Sequence, residues 1–132
     1  MTNVERNKKL IKKYPFIQLR KDYFDGTWLT SMPIGWEKNF GISFCEDILN
    51  KLNEIGYPIN EFKINDIKEK WGQFECYFSG PDEIQDIVDK YTNISREICI
   101  NCGKPATCVN TGWISYFCEK CAKEQGINYK IK

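Results

Sequence analysis

Residues 99–121 read CINCGKPATCVNTGWISYFCEKC: Cys99 and Cys102 form one Cys-x2-Cys pair, and Cys118 and Cys121 form a second after fifteen intervening residues. Each pair is a short loop that can aim both of its sulfurs at a single ion. Together they supply four thiolates able to close a tetrahedron around one Zn²⁺. Two disulfides are the alternative pairing. Asn101 and Gly103 flank Cys102 where a tight turn is needed, and Cys118-x2-Cys121 opens a short helix. A closed all-thiolate site has no open position for water or substrate, so the spacing points to a structural Zn²⁺.

Working outward, Lys104 to Thr107 and Trp113 to Phe117 suit a small hairpin, with a turn signal at Asn110-Thr111-Gly112. A helical turn from Cys121 stops at Gly126. Knuckle, hairpin, knuckle and helix make a treble-clef-like order, with a zinc ribbon as the near alternative. Cys108, the fifth cysteine of this stretch, reads as a small buried hydrophobe, as do Cys45 and Cys76 on apolar stripes.

Upstream, Ser79-Gly80-Pro81-Asp82-Glu83 is a helix start, and Ile84, Ile87, Val88, Tyr91 and Ile98 carry an apolar stripe into Cys99. Residues 61–70 and 73–79 alternate as strands, joined by Trp71-Gly72 in a β-hairpin. Phe40, Phe44, Ile48, Leu52 and Ile55 recur at three- and four-residue steps, predicting a helix over 36–55 that Gly56 and Pro58 end. A short helix over 3–13 stops before Pro15. Residues 14–35, punctuated by Pro15, Gly26, Pro33 and Gly35, read as an irregular, aromatic-rich strap across the domain. The expected fold is α+β: helices packed on a β-hairpin in a core of residues 1–98, with a four-cysteine module in residues 99–132.

The net charge of +1 is unevenly spread. Residues 1–21 carry seven basic residues against Glu5, a net of +6; residues 22–98 carry a net of −8; residues 99–132 carry +3. Four thiolates and Zn²⁺ together contribute −2, so the loaded module is nearer neutral and is a poor phosphate-binding footprint. The basic N-terminus is the better candidate for nucleic acid, but a solvated helix face is the simpler reading of it. No apolar run approaches the length of a membrane span, and residues 1–13 lack the apolar stretch of a signal peptide, so a cytoplasmic protein is expected.

The chain contains no histidine. Ser-His and Cys-His catalytic pairs, histidine-ligated zinc hydrolases and the His-x-Glu element of zinc deaminases are therefore excluded. With no phosphate loop or nucleophile motif either, no catalytic residue is assigned and a binding role is expected.

Three stretches carry a resemblance: Met32-Pro-x-Gly-Trp-x-Lys-x-Phe-Gly, Ile67-Lys-Glu-Lys-Trp-Gly, and Cys99-Ile-Asn-Cys-Gly-Lys-Pro-Ala-Thr with Thr111-Gly-Trp-Ile and Cys118-Glu-Lys-Cys-Ala. Jointly, over roughly residues 10–122, they resemble a family of small four-cysteine zinc-binding proteins of low-GC bacteria, prophages and phages. The chain departs from that pattern at Trp71, where Tyr or Phe is usual, and at Glu75-Cys76. Some phage-encoded zinc proteins of this size are anti-CRISPR inhibitors of type II effector nucleases. The resemblance therefore implies a non-catalytic inhibitor acting by protein–protein contact on such a nuclease, with a zinc-module nucleic-acid binder as the alternative.

Two surfaces are candidates for that contact. Trp36, Trp71 and Trp113 each adjoin a glycine, which favours packing, but a small zinc module has little core in which to hide Trp113, making it the expected interface anchor. Asp82, Glu83 and Asp86 at the helix start, with the carboxylates of residues 37–54, offer an acidic face for a basic partner.

Overall fold

The helix at the N-terminus, α1 (Asn3–Lys13), begins on a capping box: the Glu5 N–H donates to Thr2 Oγ1 at 3.1 Å and the Thr2 N–H donates to the Glu5 carboxylate. Each partner satisfies a backbone donor that the helix leaves open. Lys12 and Lys13 lie in the last turn, where the dipole favours cations. The computed structural model describes residues 2–20 and 23–132; Met1, Lys21 and Asp22 lie outside it.

Residues 14–35 are more regular than their punctuation predicts. A 3₁₀ turn, Pro15–Ile17, leads into β1 (Gln18–Arg20), which runs antiparallel to β2 (Tyr23–Thr27), and then into the short helix α2 (Trp28–Ser31). Thr27 caps that turn by accepting from the Thr30 N–H at 3.2 Å. Phe16, Ile17 and Leu29 are buried in the main core, so tertiary packing orders a segment whose local signals are weak.

The second long helical run departs from α geometry. It comprises α3 (Ile34–Trp36), a π-helical stretch, Glu37–Gly41, and α4 (Ile42–Ile55). Trp36, Phe40, Phe44, Ile48 and Leu52, at steps of four, are all buried. Each step of four overshoots a 3.6-residue turn by about 40°. The wider π turn takes up part of that drift, which holds Trp36 and Phe40 on the same face as Phe44. Gly56, at φ +72°, ends the run, with the Tyr57 N–H donating back to Leu52 O.

β3 (Lys63–Lys70) and β4 (Gln73–Ser79) form the expected antiparallel hairpin, with a register shift between Ile64 and Asp66. α5 (Ile84–Ser95) packs along β4 and α4. Phe74 is the hub of an aromatic core: its ring centroid lies 5.2 Å from Phe44, 5.4 Å from Phe40 and 5.9 Å from Trp36, all edge-on. Its backbone faces α5, where its N–H donates to the buried Ser95 Oγ at 2.9 Å and its C=O accepts from Thr92 Oγ1 at 2.8 Å. Replacing Ser95 with alanine strands that buried N–H, and the expected loss is about 1–3 kcal/mol of stability, read from urea denaturation. A change under half a kilocalorie would mean that the amide finds another partner.

The C-terminal part adds a three-stranded sheet in the order β6-β5-β7, from β5 (Cys108–Asn110), β6 (Tyr116–Phe117) and β7 (Tyr129–Ile131), with α6 (Glu119–Glu124) between β6 and β7. Here the expected hairpin is corrected. Its first strand is Cys108–Asn110, not Lys104 to Thr107, because Cys99 and Glu97 backbones engage Lys104 and Ala106. Its second is confined to Tyr116–Phe117, and β7 is an additional strand. The chain is thus α+β, with helices on small antiparallel sheets and two separate buried clusters, a large one and a small one around Cys99, Cys108, Phe117, Cys121 and Ala122. Among the described residues no helix is long and apolar enough to cross a membrane.

Candidate metal centre

Cys99, Cys102, Cys118 and Cys121 converge, with all four sulfurs within 4.8 Å of one another. No disulfide joins them; all seven cysteines are free. Local backbone chemistry builds each half. In the first, the Gly103 N–H donates to Cys99 O at 2.9 Å and the Cys99 N–H to Lys104 O, a tight turn that needs φ +82° at Gly103. In the second, Cys118 is the N-cap of α6 and its sulfur accepts from the Cys121 N–H at 3.4 Å. A sulfur thus does the capping that serine or aspartate does elsewhere.

Donor chemistry and spacing fit a metal ion. Cys102 and Cys118 sulfurs are 3.6 Å apart, close to the edge of roughly 3.8 Å in a tetrahedron with metal–sulfur bonds of about 2.3 Å. Asn101 Nδ2 donates to Cys121 Sγ at 3.4 Å, an outer contact of the kind that orients a ligand. Burial raises the Cys99 thiol, but the amides of Cys118, Cys102 and Asn101 outweigh it and bring it down to about 7. Cys102 is raised, chiefly by burial. For Cys121 the Asn101 amide works downward and is outweighed by burial and the three neighbouring sulfurs, which push it up to about 12. The packed sulfurs thus work against one another's ionisation at Cys102 and Cys121. A bound divalent cation removes that penalty, so loading is coupled to proton release.

Burial divides the four. Cys99 and Cys121 are buried, whereas Cys102 and Cys118 are partly exposed on a cavity of 470 Å³. Cys108 lies in the same small cluster but outside the four-sulfur set, as a buried thiol. Burial pushes the Cys45 and Cys76 thiols up to about 12, as expected of core cysteines.

The centre is seated on the core through a glycine contact. The Gly35 N–H donates to Ile100 O at 2.9 Å, and a Cβ on Gly35 would meet Cys99 O at 2.2 Å and the Ile100 carbonyl carbon at 2.6 Å. From the other side, a Cβ on Gly103 would meet Gly35 O at 2.7 Å. Asn39 Nδ2 donates to Gly103 O at 2.8 Å beside them. The glycine of Met32-Pro-x-Gly-Trp thus serves a backbone-to-backbone approach to the first cysteine loop, whereas the sequence suggested room for an indole. Trp36 itself is buried.

A second junction lies at the hairpin tip. Trp71 and Gly72 have φ +54° and +81°, the positive pair that a two-residue type I′ turn requires. A bulky residue at positive φ is uncommon and costs on the order of 1 kcal/mol. Trp71 is not packed away, contrary to expectation: it is 51% exposed and stacks on Trp113, itself 61% exposed, with centroids 4.9 Å apart and planes at 20°. Gly72 lies against Tyr116 and Ile114 O, and Ile114 extends the exposed apolar surface. Trp113 is exposed, as the small size of the module suggests; the exposure of Trp71 escapes the sequence because its partner is 42 residues away and no periodicity links the two.

Asp82, Glu83 and Asp86 are exposed at the N-terminal end of α5. Asp86 shares a groove between α4 and α5 with Asp47 and Glu54, but Lys51 and Lys90 stand in it too, paired with Glu54 and Asp47 at 2.8 and 3.0 Å. The face is therefore mixed in charge. It is also separated from the indoles: Gln73, beside the Trp71 turn, accepts from Arg96 at the opposite end of α5, about 18 Å along a twelve-residue helix. Set against protein-family models, curated proteins and solved structures, the chain matches none of them.

Proposed function

We propose that this chain is a zinc-stabilised binding protein that acts by stoichiometric contact with a larger protein and not by catalysis. Zn²⁺ suits four convergent thiolates without an open position, and its role is structural. The succession of cysteine loop, β-hairpin and a cysteine pair at a helix N-terminus supports a treble-clef-like reading of the module. The observation that carries the binding role is the exposed Trp71–Trp113 stack. Two indoles left in water, one of them on a strained turn, lose what burial would contribute, and tryptophan is among the residues most enriched at interface hot spots. The acidic residues Asp82, Glu83 and Asp86, at the far end of α5, would steer approach more than they would hold the complex.

Family resemblance makes a type II CRISPR effector nuclease in a bacterial cytoplasm the first partner to test. Titration of the nuclease, with and without guide RNA, is expected to give a saturable complex, and Trp113→Ala to weaken it by ~2 kcal/mol or more through faster dissociation. Absence of a complex at micromolar protein removes that partner. Trp71→Asn separates function from folding. It relieves positive φ and loses a stack worth about 1 kcal/mol, so stability should change by less than ~1 kcal/mol while binding falls. A variant that binds its partner unchanged would refute the role of the stack.

One observation favours the nucleic-acid alternative. Lys8, Lys9 and Lys12 of α1 are exposed and make no ion pair among the described residues, whereas Arg6 and Lys13 pair with Glu37 and Glu46. Tight, steeply salt-dependent binding of plain DNA or RNA, lost on charge reversal of those lysines, would select that reading.

A further inference from the structure

The two partly exposed cysteines of the centre differ from the two buried ones in what can reach them. Cys99 is fully buried and takes no part in the 470 Å³ cavity; Cys102 and Cys118, both partly exposed, line it together with Cys121, which is only 5% exposed, and with Lys104, Lys120 and Glu124. Both lysines are exposed, and the Lys120 pairing with Glu124 is loose at 4.0 Å. The Cys102–Cys118 separation of 3.6 Å joins the two cysteine loops rather than the two ends of either one. Small oxidants entering the cavity thus meet two partly exposed cysteines, one from each loop, with their sulfurs side by side.

We propose that Cys102 and Cys118 are an oxidation site at which hydrogen peroxide forms a disulfide across the two loops and discharges the metal. The inference rests on the zinc reading above. In the first step the Cys102 sulfur attacks one peroxide oxygen: an S–O bond forms, the O–O bond breaks, and hydroxide leaves to be protonated to water. In the second, the Cys118 thiolate attacks the oxidised sulfur: an S–S bond forms, the S–O bond breaks, and a second hydroxide leaves as water. Two thiolates are oxidised by two electrons in total, one peroxide is reduced to two waters, and two protons are taken up. Two of the four donors are then consumed, so affinity for the ion collapses. Either sulfur can attack the peroxide first, with the same product. Cys99 stays reduced because it is buried outside the cavity, Cys121 because it is only 5% exposed on it, and Cys45, Cys76 and Cys108 because they are buried away from it. The bridge spans the loop from 102 to 118 and keeps the two halves adjacent, so reduction with added zinc regenerates the centre.

The test uses the wild-type protein and needs no folding-sensitive variant. Metal content is measured first. The loaded protein is then treated with millimolar hydrogen peroxide while released zinc is followed with a chromogenic chelator, and the product is alkylated under denaturing conditions and mapped without reduction. Expected are release of about one zinc per chain, loss of two free thiols, a Cys102–Cys118 linked peptide, and recovery of zinc binding after dithiothreitol. A protein that keeps its zinc in millimolar peroxide overturns the inference alone. So do disulfides confined to Cys99–Cys102 and Cys118–Cys121. Protein that carries no zinc before treatment overturns the zinc reading and this inference together.

Discussion

Cys99→Ser is expected to abolish metal binding and to unfold residues 99–132 while leaving the aromatic core standing. Structural zinc supplies on the order of 10 kcal/mol of apparent free energy in small modules, more than the small buried cluster of Cys99, Cys108, Phe117, Cys121 and Ala122 can replace. The β6-β5-β7 sheet has strands of only two or three residues, and its hydrogen bonds stand only while the two cysteine loops are tied. The main core has its own support: Phe40, Phe44, Phe74 and Tyr91 pack ring to ring without any residue of the module. Hydrogen exchange is the readout. Amides of residues 108–110 and 116–117 should lose protection, and Phe74, bonded to Ser95, should keep it. Protection retained in the module, or lost everywhere, would show that its folding is not metal-driven or is inseparable from the core.

Gly35→Ala should be the most damaging substitution outside the cysteines. The added methyl would stand 2.2 Å from Cys99 O and 2.6 Å from Ile100 O, and these are backbone atoms that cannot rotate aside. Relief requires separating α3 from the first cysteine loop, which breaks the Gly35–Ile100 and Asn39–Gly103 hydrogen bonds and displaces Cys99. Overpacking of this kind costs about 3 kcal/mol or more where nothing yields. Zinc affinity should fall with stability, since the same shift misaligns a ligand. Gly112→Ala is the control: no atom lies within 4 Å of its added methyl, and an effect within about 0.5 kcal/mol is expected. Equal effects in denaturant melts of the two variants would disprove the close-contact account.

What the sequence disclosed and what it withheld follows from the range of the forces involved. α1, α4, the β3–β4 hairpin and the four cysteines were legible because their signals are local: a stop before Pro15, a four-residue apolar step, strict alternation, a spacing of two. Strand β7, the short elements of residues 15–31 and the π-helical stretch were not, since three-residue segments carry no period and a π turn has no composition of its own. Contacts between distant loops were hidden for a different reason. Gly35 was marked as special, but only the fold shows that its missing side chain faces Cys99. Trp71 read as packed because a glycine follows it, and its exposure depends on a partner at 113. The charge pattern misled in part: the acidic middle of the chain is real, yet Lys51 and Lys90 fold into its groove and dilute it.

The central claim is that one metal held by four sulfurs organises the end of the chain that carries Trp113. Metal analysis of freshly purified protein, followed by X-ray absorption at the zinc edge, tests it most directly. The account requires about one zinc per chain, four sulfur neighbours at about 2.3 Å and no nitrogen or oxygen in the inner sphere. A protein with well under one metal per chain and its cysteines joined in disulfides would contradict it, as would a zinc with water or carboxylate in place of any of Cys99, Cys102, Cys118 or Cys121.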